Sequence, residues 1–308
     1  ALIVQKYGGT SVGTVEKIEN VAERLIKAKK EGHDVVVAVS AMSGETNRLE
    51  ALGHSLVKRP LAREMDVLLA SGEQVAVALL SIALTARGVP AQSFLGHQVA
   101  MRFHEFFRME DDQIVEMQAL WDIPEVMLQA GAWPMAPSLG REWQVPGPAP
   151  QNGLVPGPWR DAESTASLAL VSAMCEGLGQ YATGGVEAMQ LERYWHPRCS
   201  WYGPAGIGTA RGISGFRTWH QGPFLRGMPD RKLDAMGALL SHWVGEGDYV
   251  CETGWPNMRL TLSDDGWMGI APAGKEVLLR SLDFWRLEDG LIRENWVLVE
   301  LLDLSDQI

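Results

Sequence analysis

Residues 106–116 read FFRMEDDQIVE, and residues 284–294 read FWRLEDGLIRE. At a constant offset the two stretches share identical residues, namely Phe106/Phe284, Arg108/Arg286, Glu110/Glu288, Asp111/Asp289, Ile114/Ile292 and Glu116/Glu294. Each stretch has an acidic turn between two apolar runs, and the Asp-Gly turn of the second is a strong signal for a β-hairpin. The chain is therefore predicted to contain the same hairpin twice.

A long stretch with its own helix and strand patterns precedes only the second hairpin. Helical spacing of apolar residues occurs at 162–178 and 212–225, and residues 185–194 are predicted as a further helix. Three strand-like runs follow, at residues 233–244, 248–262 and 274–286. Helices followed by a long antiparallel sheet predict an α+β domain over residues 161–308.

The first hairpin, predicted within residues 102–131, has no such domain before it. We interpret residues 99–131 as the end of a domain whose remainder has been replaced by another segment. An isolated hairpin is only marginally stable in water. We therefore expect this hairpin to pair with the edge of a sheet, in this chain or in a partner.

The composition of the chain changes near residue 100. All 12 Trp lie between Trp121 and Trp296, whereas six of the eight Lys precede residue 59. Residues 1–98 alternate strand and helix patterns, with strands at 1–5, 34–39 and 91–94 and a long apolar helix at 72–87. This order predicts a partial α/β layered sheet. Residues 132–160 hold 7 of the 16 prolines and are predicted to form a semi-rigid linker.

Three motifs in the first segment are KYGGTSV at residues 6–12, SAMSGETNRL at 40–49 and SGEQVAVALL at 71–80. They closely resemble the N-terminal part of bacterial aspartate kinases, in the amino acid kinase family. The resemblance implies ATP and Mg²⁺ as cofactors and phosphorylation of L-aspartate, the first step of lysine, threonine and methionine synthesis. By the same resemblance, nucleotide phosphates bind at Lys6, Gly8 and Gly9, and the aspartate pocket includes Ser40, Thr46 and Glu73. Glycines allow the backbone to approach phosphate oxygens, and a lysine adds a positive charge.

The family's kinase domain is longer than this segment. Its second half supplies much of the nucleotide site, and no counterpart of that half is recognisable after Gln98. Two interpretations remain open. The segment is a structural remnant or fusion partner, or it is a kinase whose missing half-site comes from another subunit.

The stretches WYGPAGIGTARGISGFRTWHQGPFLRGMPD at residues 201–230 and LEDGLIRENW at 287–296 resemble the SnoaL-like polyketide cyclase family. The resemblance implies a cone of curved antiparallel sheet wrapped by helices, the nuclear-transport-factor-2-like fold. It also implies acid–base chemistry on a small carbonyl substrate, such as a cyclisation or isomerisation, without a cofactor. The family's acid/base aspartate lies in the last strand, and it matches Glu300 in the complete domain and Asp122 in the first hairpin. A solvated or salt-bridged strand carboxylate is the alternative for Glu300.

Other side chains of the second domain are candidates for its site. His220 lies in an aromatic-rich helix, where it is either an acid/base or a packed imidazole. The predicted substrate pocket is lined by Trp201, Tyr202, Trp219, Trp255, Trp267 and Trp285, although ordinary core packing fits these aromatics equally well. A third hypothesis is a non-catalytic ligand-binding or dimerising module, in which copies of the chain associate through their sheets.

The overall composition excludes several classes of protein. A net charge of −11 argues against binding to nucleic acid or to an anionic membrane surface. The three widely spaced cysteines predict neither disulfides nor a zinc site, and no metal site is expected. No apolar run approaches the length of a membrane span, with the longest near residues 75–84. We therefore predict a cytoplasmic protein.

Overall fold

The computed structural model describes residues 2–133, 135–142, 145–151, 158, 160–230 and 241–308. The chain divides into two compact units, Ala1–Val99 and Ala100–Ile308, and each is described by itself.

The first unit is built on two parallel strands. Strands β1 (Leu2–Tyr7) and β2 (Asp34–Val39) pair side by side, joined by helix α1 (Val15–Lys30). Helices α2 (Glu45–Leu56) and α3 (Ala62–Thr85) follow. One apolar face of α1 packs into the core of this unit, together with the end of α3. This arrangement confirms a partial α/β layer.

Residues 91–94 do not form the predicted strand. They run as irregular chain, and the Ala91 carbonyl accepts a hydrogen bond from the Ser81 hydroxyl at 3.2 Å. A strand requires a neighbouring strand to satisfy its backbone groups. Among the described residues of this unit, the sheet contains β1 and β2 only.

Helix α3 contradicts the expectation that no apolar segment approaches the length of a membrane span. By length and composition this 24-residue helix could cross a membrane, although the core helix of a soluble protein passes the same test. Its buried residues recur every four positions, at Gly72, Ala76, Leu80 and Leu84. This stripe lies on one face of the helix, and its Leu80 and Leu84 pack into the core of the first unit, whereas only 17% of the apolar window is buried.

The second unit begins with the first predicted hairpin. Strands β3 (Phe103–Glu110) and β4 (Gln113–Trp121) are antiparallel, and helix α4 (Ile123–Gln129) follows them. Both turn residues, Asp111 and Asp112, have positive φ angles of 46° and 61°. Such angles match the twist of a tight hairpin.

The remainder of the second unit is a six-stranded sheet covered by helices. Its elements in chain order are α5 (Asp161–Leu178), α6 (Tyr181–Ala188), β5 (Trp195–Tyr202), β6 (Thr209–Arg211), α7 (Gly212–Phe216), α8 (Gly222–Gly227), β7 (Ser241–Glu246), β8 (Tyr249–Leu262), β9 (Lys275–Glu288), β10 (Leu291–Val299) and α9 (Leu301–Asp306). The strand order is β6-β5-β10-β9-β8-β7, with β5 and β10 parallel and the other pairs antiparallel. The main apolar core lies between this sheet and the helices.

Two predicted elements differ from the structure. The helix expected at 185–194 is instead α6, which Gly185 interrupts with φ 64° and ψ −159°, followed by a short 3-10 turn at Leu191–Arg193. The helix predicted at 212–225 is observed as α7 and α8, joined by the π-helical turn Arg217–Gln221. The strand predicted at 233–244 lies partly outside the described residues, and its described part belongs to β7.

The first hairpin packs face-on against the sheet rather than at its edge. The Phe106 and Phe284 rings stack with centroids 5.1 Å apart, and the His104 Nδ1 atom lies 2.7 Å from the Leu282 carbonyl oxygen. Leu120, Leu282 and Leu298 form the apolar cluster between them. An edge was expected, but a face rich in leucine and aromatic residues buries more apolar surface than a single edge strand does.

Burial at this interface perturbs His104. Its imidazole packs edge-on against Phe284, and burial lowers its pKa to about 4, whereas an imidazole in water titrates near 6.5. Between about pH 4 and pH 6.5, the His104 imidazole is therefore protonated in the unfolded chain but neutral in the folded chain. Stability contributed by the neutral imidazole is therefore present above about pH 6.5 and is lost as the pH falls towards 4.

We expect His104→Gln, which keeps a hydrogen-bond donor but does not titrate, to remove most of this pH dependence. Between about pH 7.5 and 4.5, the unfolding free energy of the native chain should fall by about 2 kcal/mol more than that of the variant. Urea unfolding at the two pH values measures this difference. Parallel pH profiles for the two proteins would show that His104 is not buried in a neutral form.

The described part of the predicted linker lies along the second unit. The Leu139 N–H donates to the Gly206 carbonyl at 2.9 Å, and the Gly140 N–H donates to the Ile207 carbonyl at 2.8 Å. The Trp296 indole donates to the Pro146 carbonyl at 2.9 Å. These bonds fix a proline-rich segment on the surface of the folded domain.

Candidate active site

The sheet and the helices of the second unit enclose a cavity with about 80 Å³ of free space. Alternate residues of a strand point to the same face, so β9 presents Ser281, Asp283 and Trp285 to the cavity. Most of the lining is apolar, consisting of Met174, Cys175, Leu178, Met189, Trp195, Trp201, Phe216, Phe224, Leu225, Met258, Trp285, Val297 and Val299. The few polar side chains among them are therefore in a poorly hydrated environment.

Two carboxylates face each other inside this cavity. Glu252 of β8 and Asp283 of β9 are directly paired across neighbouring antiparallel strands. Their side chains are 7% and 8% exposed. The Cβ atoms of such a pair are typically about 4.5–5.5 Å apart, which places both carboxylates within reach of one small ligand.

Hydrogen bonds orient both carboxylates. The Ser281 hydroxyl donates to Asp283 Oδ2 at 2.7 Å and accepts from Asn257 Nδ2 at 2.8 Å. Glu252 Oε1 accepts from the Ser241 hydroxyl at 2.7 Å and from Asn257 Nδ2 at 3.3 Å. Asn257 therefore links the two acids through one amide group.

A bulge in β8 places Asn257 in this network. The pairing register between β8 and β9 shifts between Gly254 and Met258. A Cβ atom at position 254 would lie 1.8 Å from the Cβ of Asn257, so only glycine allows the side chain of Asn257 to fold back. Bulges commonly redirect side chains next to functional sites.

His220 is the imidazole that lines the cavity. It lies in the π-helical turn between α7 and α8 and stacks on Trp201, with ring centroids 4.0 Å apart and planes 13° apart. Single π-helical turns occur frequently at functional sites. The stacking fixes the plane of the imidazole against the cavity wall.

The first unit brings several predicted phosphate-binding residues together. The carboxyl ends of β1 and β2 are adjacent, and the Ser40 N–H donates to the Tyr7 carbonyl at 3.1 Å. A Cβ atom at Gly9 would lie 2.6 Å from the Ala41 carbonyl oxygen, so this close approach requires glycine. The Lys6 ammonium lies 3.8 Å from the position of a Cβ at Gly8. Lys6 and the glycine loop thus share one edge of the unit.

The other two predicted residues of this unit are on helices. Thr46 lies in the first turn of α2, and Glu73 is exposed on α3. Gly72, beside Glu73, would bring a Cβ within 3.2 Å of the Ala41 Cβ. Helix α3 therefore crosses the loop after β2 at this point.

Residues 1–130 match the amino acid kinase family, and residues 183–308 match the SnoaL-like polyketide cyclase family. The chain joins an amino-acid-kinase-like segment to a SnoaL-like domain. The first match extends beyond the first unit into the hairpin, while the second covers the cavity apart from the helix α5 side of its wall.

Curated relatives match the kinase-like segment. It is 63% identical over 99 residues to an aspartokinase of Pseudomonas aeruginosa. The aligned residues make up 32% of this chain and 24% of that protein. It is 61% identical over 99 residues to the aspartate kinase Ask_LysC of Stutzerimonas stutzeri, with the same coverage. The chain thus spans about a quarter of the length of these relatives.

Solved structures include relatives of both parts. A protein described as a SnoaL-like polyketide cyclase, from Jannaschia sp. CCS1, is 22% identical and covers 48% of this chain and 95% of its own, with a TM-score of 0.38. An aspartate kinase from Synechocystis is 52% identical and covers 32% of this chain and 17% of its own, with a TM-score of 0.32.

The aromatic residues predicted for the substrate pocket separate into two groups. Trp201 and Trp285 line the cavity of the SnoaL-like domain. The other four lie elsewhere: Tyr202 stacks on Trp296, Trp219 is 49% exposed, Trp255 lies under the Arg280 guanidinium, and Trp267 packs against Phe224. Neighbouring strand residues point to opposite faces, which is why Trp201 reaches the cavity and Tyr202 does not.

Glu300 and Asp122 lie outside this cavity. Glu300 follows the end of β10 as the N-cap residue of α9, rather than within the last strand as predicted, and lies 3.8 Å from Arg280. Asp122 occupies the same place before α4 and pairs with Arg102 at 2.9 Å. Burial raises the pKa of Glu300, and it raises the pKa of Asp122 to about 6 against the opposing effect of Arg102.

One cluster among the described residues has the ligand spacing of a metal site. Side-chain atoms of His196, Glu288 and Asp289 lie within 4.8 Å of one another. Glu288 already accepts a hydrogen bond from Arg286 at 3.0 Å. This ion pair competes with a cation for the same carboxylate.

Glu252, Asp283 and Asn257 are site residues that the sequence alone did not point to. A usable signal was available, because Glu252 follows the apolar pair Val250-Cys251 and Asp283 lies between Leu282 and Phe284. Buried acidic residues need partners, so such interruptions point to the interior of a site. Their common face, however, depends on the register between β8 and β9.

Proposed function

We propose that the SnoaL-like domain catalyses proton transfer on a small carbonyl compound, in a cyclisation or isomerisation that needs no cofactor. The observation that carries this proposal is the pair Glu252 and Asp283, which face each other in a mostly apolar cavity. Two carboxylates this close repel each other when both are ionised. The pair therefore suits a state with one proton between them, which provides both an acid and a base.

The proposed reaction begins with the removal of a proton next to the substrate carbonyl. The ionised carboxylate takes this proton from carbon, and the electron pair of the broken C–H bond forms an enolate. The His220 ring lines the same cavity and can donate a hydrogen bond to the enolate oxygen, while the Asn257 amide holds Glu252 and Ser281 in place. The protonated carboxyl group returns a proton to carbon in an isomerisation. In a ring closure the enolate carbon instead bonds to a second carbonyl carbon, the π electrons of that C=O bond move to its oxygen, and the protonated carboxyl group protonates the resulting alkoxide.

Cyclopentanone is a carbonyl compound small enough for the cavity, and it serves as the probe for proton transfer. Proton NMR in D₂O measures how fast its α-hydrogens exchange with deuterium. Asp283→Asn should slow the protein-dependent exchange by about 10²-fold, a typical loss for a positioned general acid or base. Glu300→Gln is the matched control, because Glu300 lies outside the cavity, and it should exchange as the native chain does.

Equal exchange rates for Asp283→Asn and the native chain would exclude this mechanism. If cyclopentanone binds saturably but neither protein promotes exchange, the domain is a ligand-binding module. A catalytic role for Glu300 requires the opposite pattern, in which Glu300→Gln alone is slow.

As a second candidate, we propose that the kinase-like segment binds nucleotide phosphates. The support is the shared edge formed by Lys6 and the Gly8–Gly9 loop. Phosphorylation of aspartate would additionally need ATP, Mg²⁺ and the missing half-site from another subunit. Calorimetric titration with Mg·ATP should show binding to the native chain and none to Lys6→Ala. Binding of Mg·ATP by Lys6→Ala would exclude the lysine from the phosphate site. No binding by either protein would mark the segment as a remnant.

A further inference from the structure

The docked hairpin and its counterpart in the SnoaL-like domain touch at equivalent positions. His104 bonds to Leu282, and these residues are 178 positions apart in sequence. Phe106 stacks on Phe284 at the same offset. In an interface between two copies related by a two-fold axis, a residue that contacts its own counterpart lies on the axis. The hairpins β3–β4 and β9–β10 therefore meet as two such copies.

A second, smaller cavity gives independent support for this axis. It has about 30 Å³ of free space and lies between the ends of β4 and β10. Its lining consists entirely of counterpart pairs, which are Leu120/Leu298, Trp121/Val299, Asp122/Glu300, Ile123/Leu301 and Pro124/Leu302. A space that is lined by each position together with its counterpart is centred on a two-fold axis.

The two copies also have the same internal bonds. The Gln129 amide donates to the Ala100 carbonyl at 2.6 Å, and the Gln307 amide donates to the Leu278 carbonyl at 2.8 Å. The ion pair between Arg102 and Asp122 recurs between Arg280 and Glu300. The first hairpin with α4 is thus a structural copy of the second hairpin with α9.

We propose that the face of β9–β10 opposite the cavity is a self-pairing surface, and that the first hairpin occupies the place of a second copy of this chain. The fusion thereby blocks the association of its own SnoaL-like domain. When the hairpin leaves, two chains pair through Leu282, Phe284 and Leu298. This inference does not depend on the proposed catalytic activity.

The chemistry of the surface fits a second copy as its occupant. In such a pair, Leu282, Phe284 and Leu298 of the partner would replace His104, Phe106 and Leu120 of the hairpin. Each replacement is equally apolar or more apolar, so the buried area is retained. The far face of the hairpin is exposed, with Phe103 57%, Phe107 48% and Met117 53% accessible. The body of a second domain would lie on this open side.

A two-fold pair would also gain polar contacts. In the docked state the Arg102 guanidinium donates to the Gly203 carbonyl at 2.6 Å, and Asp122 accepts from the Ala205 N–H at 2.9 Å. The counterparts Arg280 and Glu300 would meet the same two backbone groups of the second copy. Each contact would then be made twice, once by each chain. The role of Glu300 is therefore to hold two chains together.

The test measures the molar mass of full-length variants by light scattering after gel filtration. Phe106→Asp should release the hairpin and leave the pairing surface intact, so its mass should be twice that of Phe284→Asp. The latter variant breaks the same ring stack but damages the surface itself. The double variant should have the mass of Phe284→Asp. Equal masses for the two single variants would overturn the proposal.

Cross-linking gives a second readout that does not depend on the strength of association. Leu298 lines the cavity on the axis, so Leu298→Cys in the Phe106→Asp background should form a disulfide between two chains under mild oxidation. Leu278→Cys in the same background is the matched control, because Leu278 lies on the same hairpin and is 40% exposed. Equal cross-linking of both positions, or of neither, contradicts a two-fold pair.

Discussion

Replacing Glu294 with alanine should lower the unfolding free energy of the SnoaL-like unit by about 3 kcal/mol, because it removes the more buried of the two carboxylates that pair with the Arg286 guanidinium. The Arg286 Nε–H donates to Glu294 at 2.5 Å, and the two side chains are 5% and 4% exposed. The Ala149 N–H also donates to this carboxylate, at 3.1 Å. The substitution therefore leaves the buried guanidinium with Glu288 alone and removes one hydrogen bond of the proline-rich segment.

The internal repeat provides a matched control for this prediction. Arg108 and Glu116 hold the same positions in the first hairpin, where their bond is 3.1 Å and their side chains are 55% and 45% exposed. Water solvates an exposed pair, so Glu116→Ala should cost less than about 1 kcal/mol. Urea unfolding followed by tryptophan fluorescence measures both variants. Similar losses for the two would mean that burial does not govern the effect.

Substituting Gly254 with alanine should also have a large effect, on both stability and activity. The added methyl group would lie 1.8 Å from the Asn257 Cβ, so the bulge must open. Overpacking of this kind costs about 3 kcal/mol in a closely packed strand pair. Opening the bulge withdraws the Asn257 amide from Glu252 and Ser281. The exchange of cyclopentanone should therefore slow together with the loss of stability.

Gly147→Ala is the control for the Gly254→Ala substitution. Among the described residues, no heavy atom beyond the chain neighbours lies within 4 Å of a Cβ at position 147, so the substitution should leave unfolding and exchange unchanged. A Gly254→Ala variant with native stability and native exchange would show that the bulge adapts without moving Asn257.

Local sequence patterns predicted much of the fold. The strand runs at 248–262 and 274–286 agree closely with β8 and β9, and both hairpins form as expected. These elements have long apolar runs bounded by turn residues, so short-range preferences and burial favour the same structure. The strand expected at 91–94 is absent because its apolar run had no neighbouring strand among the described residues of its unit.

The candidate site was harder to predict, since it depends on contacts between distant residues. Glu252 and Asp283 become neighbours only when β8 and β9 pair, and a one-residue change of register would point one of them away. Position 300 was assigned from family resemblance to the last strand. The chain turns into α9 there, and strand alternation already places position 300 on the face of Leu298, away from the cavity that Val297 and Val299 line.

The contact between Phe106 and Phe284 can form only late during synthesis of the chain, after β9 has been made. The first hairpin leaves the ribosome long before β9 and β10, and at typical synthesis rates the interval is on the order of ten to thirty seconds. During that time both faces of the hairpin are open to water and to neighbouring chains. The yield of this protein should therefore depend on chaperone supply and translation speed, because the residues that shield the hairpin are made long after it.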